Sequence, residues 1–266
     1  MVRFYQGNST TSIATIISIV IDYPTTTTYN RRWFNHVNSY NNRHSIKLPN
    51  DIVSVNTLLK LSIGSVKDLL QSLLCNNSPL VEFAALISSP GSENQLIHSD
   101  IPSDVDSNLI SCFVAMQNVS IDSGPTCLYS ASHSNEFHRY RNNIIHPKSS
   151  QATYYDSDGS LIEEENNHNN ADADDNIDID LREKNDAINS SIPIAAILQV
   201  GDILMFNCKI FHFGSENVSL LDRLLLSFTF QSVDMNGESI PVKGFTYHLS
   251  DDMKSDNKIL ENFTRI

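Results

Sequence analysis

What this chain lacks narrows its functions before any motif is read. Lysine and arginine number 18 in 266 residues, against 31 aspartates and glutamates. With no basic stripe interleaved with aromatics, a nucleic-acid surface is not expected. No apolar run reaches the ~20 residues that a membrane helix needs. The nearest candidate, residues 11–21 (TSIATIISIVI), is too short to span a bilayer and has only Arg3 ahead of it. It also has no small-residue cleavage site behind it. Its β-branched content predicts a strand, a weak targeting segment being the other reading. Cys75, Cys112, Cys127 and Cys208 lie far apart without a CxxC pair, so reduced thiols of a cytoplasmic protein are expected in place of a disulfide framework. Glycine and proline are scarce, at nine each, which excludes a low-complexity chain. What is present, 40% hydrophobic residues, is enough for a sizeable core. One domain over residues 1–266, monomeric and soluble, is expected.

The net charge of −13 is unevenly spread. Between Asp156 and Asp186 there are twelve acidic residues against Arg182 and Lys184, so this segment carries −10 and the remainder only −3. Residues 150–191 (including EEENNHNNADADDNIDID) are too polar to offset the entropy of ordering. They read as an acidic disordered insertion between two strands.

Residues 53–74 place leucine, isoleucine and valine at spacings of three and four, which predicts an amphipathic helix interrupted near Gly64. From residue 81 the pattern turns to short apolar, β-branched runs separated by turns: 81–89, 109–119, then 192–204 with a turn at Gly201-Asp202, 205–213 and 223–233. A helix followed by such strands suggests a sandwich or barrel, mainly β with flanking helices. The strands 205–213 and 223–233 read as a hairpin that brings His212 near Arg223. The tail from Asp234, with its late GFTYHL segment, reads as surface.

His98 and Asp100 are i and i+2 on an expected strand, so their side chains share a face, about 6.5 Å apart. His212 ends an apolar strand between Phe211 and Phe213, where an unpaired imidazole is costly to bury. Metal ligation or a backbone carbonyl would satisfy it. Two imidazoles and one carboxylate with open positions suit a non-haem Fe(II) oxygenase. Arg223 begins an otherwise apolar and hydroxyl-bearing strand; facing inward, its planar fork matches a carboxylate.

Together, His98-Ser99-Asp100, the Gly124-Pro125-Thr126 loop leading to Ser130-Ala131-Ser132-His133, the GDILMF strand from Gly201, and His212-Phe213-Gly214-Ser215-Glu216-Asn217 with Arg223 resemble the phytanoyl-CoA dioxygenase (PhyH-like) family of Fe(II)/2-oxoglutarate-dependent oxygenases. The likeness runs from about residue 81 to 233, the acidic insert excluded. It implies a double-stranded β-helix core of the jelly-roll, cupin-like kind. It also implies His98, Asp100 and His212 as iron ligands and Arg223 as partner of the distal carboxylate of 2-oxoglutarate, with Gln95 and Thr126 near the cosubstrate. His133 reads as a scaffold hydrogen-bonder. The chemistry implied is hydroxylation of a C–H bond of a small-molecule or acyl substrate, with 2-oxoglutarate going to succinate. Two other classes compete: a catalytically silent cupin-like binding protein, against which the intact triad argues, and a zinc-dependent hydrolase, which leaves Arg223 unexplained.

Overall fold

The computed structural model describes residues 3–5, 37–48, 53–134, 137–138, 154–155, 161–162, 192–238, 242 and 259–263. Residues 11–21, the GFTYHL segment and most of the acidic insertion lie outside these. The elements in chain order are β1 (Arg3–Tyr5), β2 (Val37–Tyr40), β3 (Arg43–Lys47), α1 (Val53–Leu73), β4 (Leu80–Ser88), β5 (Leu109–Ala115), β6 (Thr126–Leu128), β7 (Tyr154–Tyr155), β8 (Leu161–Ile162), β9 (Ile194–Ala195), β10 (Ile203–Asn207), β11 (His212–Gly214) and β12 (Arg223–Gln231).

β12 explains the architecture. Every one of its nine residues is buried, because it pairs antiparallel with both β4 and β5 and is covered on both faces. Its alternation sorts the two sides. Leu224, Leu226, Phe228 and Phe230 pack with Phe83, Ala85, Cys112, Val114 and Met205 against Val55, Leu59, Ile63, Val66 and Leu70 of α1. Leu225, on the other face, joins Ala115, Leu204 and Phe206 against Leu128, Ala196 and Leu198. Each of the valine, leucine, isoleucine, phenylalanine and methionine side chains among these contributes about 2 kcal/mol of burial.

The larger sheet runs β1-β10-β5-β12-β4-β3-β2 and the smaller β11-β6-β9; an isolated antiparallel bridge between His98 and His212 extends the smaller one. The two sheets facing each other, with α1 on the outside, form the double-stranded β-helix, or jelly-roll, expected.

Three local expectations change. The helix is unbroken across Gly64, which lies on its buried side, where packing offsets the roughly 1 kcal/mol that glycine costs. The chain does not run as one strand from 205 to 213: β10 ends at Asn207, whose Oδ1 accepts the Lys209 N–H and whose carbonyl accepts that of Ile210. The chain crosses there to the other sheet, so β11 and β12 are not a hairpin. Nor is the tail all surface. Leu260 and Phe263 are buried in the helix-side core, and Lys67 of α1 donates to the Phe263 carbonyl.

Residues 134–192 cluster as a separate compact unit. Within it β7 and β8 pair as a two-stranded antiparallel ribbon. All four cysteines are free, three of them buried.

Candidate active site

The bridge that joins His98 and His212 sets the site. The His98 N–H donates to the His212 carbonyl at 3.0 Å and the His212 N–H to that of His98 at 2.8 Å, which brings the ring centroids to 4.5 Å. Each Nδ1 lies against the carbonyl two residues upstream: His98 on Leu96 at 2.8 Å and His212 on Ile210 at 2.9 Å. A carbonyl only accepts, so both rings carry their proton on Nδ1 and turn a bare Nε2 inward. Asp100 Oδ1 stands 3.9 Å from one Nε2 and 3.6 Å from the other. The three ligand atoms lie within 4.8 Å of one another, a donor set that one metal ion can share, with the second-shell anchoring that ligating histidines need. Burial lowers the His212 pKa; the Asp100 charge opposes this and the His98 charge reinforces it.

Asp100 lies beyond the bridge, not on a strand. Its N–H donates to the Cys208 carbonyl at 3.0 Å, so the turn after β10 fixes it. Ser132 fixes the approach to His212 by accepting the Phe211 N–H at 2.8 Å and donating to the Tyr129 carbonyl at 2.7 Å. The scaffold role expected of His133 belongs to this neighbour; His133 itself is exposed.

Arg223 points inward and is 4% exposed. Its Nη1 donates to the Gly124 carbonyl and its Nη2 to Ser88 Oγ, both at 2.7 Å, and its Nε is buried without a partner. Burial, with the charge of Arg43 adding to it, holds this guanidinium down to about 9. Gln95 sits in the loop before the bridge and accepts the Gly214 N–H through Oε1 at 2.7 Å. Thr126 is buried on β6 directly opposite Gly214. His98, Asp100 and His212 thus form one cluster, while Gln95, Thr126 and Arg223 gather along β11 and the adjoining loop.

Arg43 was not singled out in the sequence. It pairs with Ser88 across β3 and β4 and donates to Ser88 Oγ at 2.6 Å, to the Glu93 carbonyl at 2.9 Å and to that of Gly214 at 3.2 Å. A Cβ on Gly214 would stand 2.6 Å from Arg43 Nη1 and 2.7 Å from Gln95 Oε1. Glycine two residues after His212 was the one local signal that something packs there.

A 2-His-1-carboxylate set with open positions, carried on a double-stranded β-helix, defines a class: the non-haem iron oxygenases. The sequence model of the phytanoyl-CoA dioxygenase (PhyH) family matches residues 25–224, and the chain belongs to that family. The fold agrees. The epimerase SnoN, solved with Fe3+, alpha-ketoglutarate and nogalamycin RO, matches at TM-score 0.53 and 10% identity over 94% of this chain and 92% of its own. AviO1 from Streptomyces viridochromogenes Tue57 matches at TM-score 0.53 and 9% identity over 90% and 92%. The non-haem alpha-ketoglutarate-dependent carbocyclase SnoK of nogalamycin biosynthesis matches at TM-score 0.50 and 13% identity over 88% and 80%. No individually curated protein matches the chain significantly. Among the described residues no helix is long and apolar enough to cross a membrane.

Proposed function

We propose that the chain is an Fe(II)- and 2-oxoglutarate-dependent dioxygenase that hydroxylates a C–H bond of a small molecule, with His98, Asp100 and His212 holding the iron. The observation that carries this reading is the convergence of two Nδ1-anchored imidazoles and one carboxylate on a common point. The donor set fits Fe(II), being two neutral nitrogens and one oxygen with the remaining positions open. Bound there, the iron supplies the site at which dioxygen is reduced by the electrons of 2-oxoglutarate decarboxylation and of the substrate C–H bond. The balance is 2-oxoglutarate, dioxygen and R–H to succinate, carbon dioxide and R–OH.

The chain's own contribution is position and charge. Arg223, buried with an unpartnered Nε, receives the distal carboxylate of 2-oxoglutarate, and Gln95 and Thr126 shape the space between it and His212. The acidic residues 150–191 are read as an insertion that leaves this core intact. The zinc-hydrolase reading gives a buried inward-facing arginine nothing to do.

The test is anaerobic addition of Fe(II) and then 2-oxoglutarate, read by the visible charge-transfer band of a chelated keto acid. A band that needs both components is expected; folded protein giving none would rule the reading out.

A further inference from the structure

Asn217 closes the motif that begins at His212, yet neither the metal cluster nor the group around Arg223 described above includes it. The residue is wholly buried, and its side-chain amide is fully committed. Nδ2 donates to the Ser88 carbonyl at 2.7 Å and to the Leu221 carbonyl at 2.9 Å, while Oδ1 accepts the Ser219 N–H at 3.1 Å and the Ser219 hydroxyl at 2.6 Å. Two donors and two acceptor positions are all that an asparagine side chain offers. Its backbone adds two more ties: the N–H donates to the Ser92 carbonyl at 2.9 Å and the carbonyl accepts the Gly91 N–H at 2.8 Å.

These bonds converge on the surroundings of one other residue, Arg223. Ser88 pairs with Arg223 across β4 and β12, and its hydroxyl is one of the two acceptors of the guanidinium. Leu221 lies two residues before Arg223 and directs the entry into β12. The second acceptor, the Gly124 carbonyl, is located from the same place. An antiparallel bridge pairs Asn217 with Ser123, and Gly124, at φ +76°, lies so close that a Cβ there would stand 2.7 Å from the Ser215 carbonyl oxygen and 3.3 Å from Asn217 Cβ. Both acceptors of the guanidinium are thus held by groups that Asn217 fixes, although none of its own side-chain bonds goes to Arg223.

We propose that Asn217 is a positioning residue for cosubstrate binding: acting through Ser88 and Gly124, it presets the Arg223 guanidinium for the distal carboxylate of 2-oxoglutarate. The proposal rests on the oxygenase reading above. An arginine side chain carries much rotamer entropy, and it loses less on meeting a carboxylate when its fork is already oriented. The N–H groups that Ser88 and Gly124 leave over, the unpartnered Nε among them, then stand ready in one geometry. A keto acid that ends in a methyl group gains nothing from this, because it has no second carboxylate for the fork to meet.

The test is a double-mutant cycle on the full-length protein loaded anaerobically with Fe(II). The visible band is titrated with 2-oxoglutarate and, separately, with pyruvate, which lacks the distal carboxylate. Asn217→Ala is expected to weaken 2-oxoglutarate binding tenfold or more at unchanged affinity for Fe(II) and for pyruvate. In the Arg223→Ala background the same substitution is expected to change it less than twofold. Ser219→Ala, on the partly exposed loop, removes one donor to the amide without opening a buried site; a loss of about threefold that also vanishes with Arg223→Ala is expected, so the cycle survives if Asn217→Ala does not fold. Unchanged 2-oxoglutarate binding in these variants, a loss that extends equally to pyruvate, or one that persists in full without Arg223 overturns the proposal and limits Asn217 to stability. If wild type gives no band, the oxygenase reading fails, and calorimetry of succinate with the metal-free protein runs the same cycle; no binding by wild type there overturns the role of Asn217 as well.

Discussion

Arg43 and Arg223 share one acceptor: Ser88 Oγ receives Nη1 of the first at 2.6 Å and Nη2 of the second at 2.7 Å. Two like charges converge on a neutral hydroxyl, and their other acceptors are backbone carbonyls. Such a pair is stabilised by any carboxylate that reaches it. Even without iron, 2-oxoglutarate or succinate should raise the melting temperature, by an amount equivalent to about 2.7 kcal/mol at a hundred times the dissociation constant. Arg223→Ala should remove the effect while leaving Fe(II) binding intact. A melting temperature indifferent to dicarboxylates in the wild type would show that the pair is structural.

Gly214 makes the same region testable from the opposite strand. An alanine methyl would have to displace Arg43 Nη1 or Gln95 Oε1 from 2.6 and 2.7 Å, and the latter accepts the Gly214 N–H. Gly214→Ala should therefore weaken 2-oxoglutarate binding by tenfold or more at nearly unchanged Fe(II) affinity, since His212 is anchored separately at Ile210. Titrating the visible band with each component in turn separates the two.

How legible was this site beforehand? The clustering of His98, Asp100 and His212 was, because H-x-D and a histidine closing an apolar run are local patterns whose chemistry is nearly independent of register. Arg43 and Glu82 were not. Arg43 sits on β3 and Glu82 on β4, strands whose inward faces become evident only once β3, β4 and β12 are aligned, and a one-residue slip would turn both outward. The course of the chain from Asn207 to Arg223 was misjudged for a related reason. Apolar alternation continues through 205–213, but hydrogen bonds from the Asn207 side chain and carbonyl close a turn that hydrophobicity does not report. The jelly-roll class was legible as strand rhythm and resemblance, whereas the burial of Phe263 against Lys67 and the helix-side core had no local signal.

Asp100 stands within 4 Å of two imidazole nitrogens, and its charge also bears on Glu82. Removing it deletes one metal ligand but relieves a like-charge contact. Asp100→Ala should lower Fe(II) affinity by a factor of a hundred or more, while the metal-free protein melts no earlier than wild type. A large loss of stability in the metal-free state would mean that the carboxylate is structural.

Ser132 offers a test of positioning without touching a ligand. Its hydroxyl is the partner of the buried Phe211 N–H, and Ser132→Ala leaves that donor unmet, at a cost of about 1–3 kcal/mol. Because Phe211 adjoins His212, Fe(II) affinity should fall several-fold along with the urea midpoint. A midpoint shift with unchanged iron affinity would limit Ser132 to stability.

The carboxyl of Glu82 makes the last prediction one of sign. Burial, chiefly, lifts it from 4.5 to about 7, with the Thr229 hydroxyl opposing, the Asp100 charge adding and the Ser227 hydroxyl opposing in turn. The folded protein then holds a proton that the unfolded chain releases between those values, so the stability tied to Glu82 is fully present below about pH 4.5. It declines as pH rises and is lost above about 7. One proton sets a limit of about 1.4 kcal/mol per pH unit, and the solvent access of Glu82 reduces the total to about 1–2 kcal/mol. Glu82→Gln is neutral throughout. Metal-free wild type and Glu82→Gln should therefore be similarly stable near pH 4.5, with the variant gaining up to about pH 7 and levelling off above it. Urea unfolding of both proteins across that range measures the difference directly, and a gap that stays constant with pH would show that Glu82 is ionised in the fold from the start.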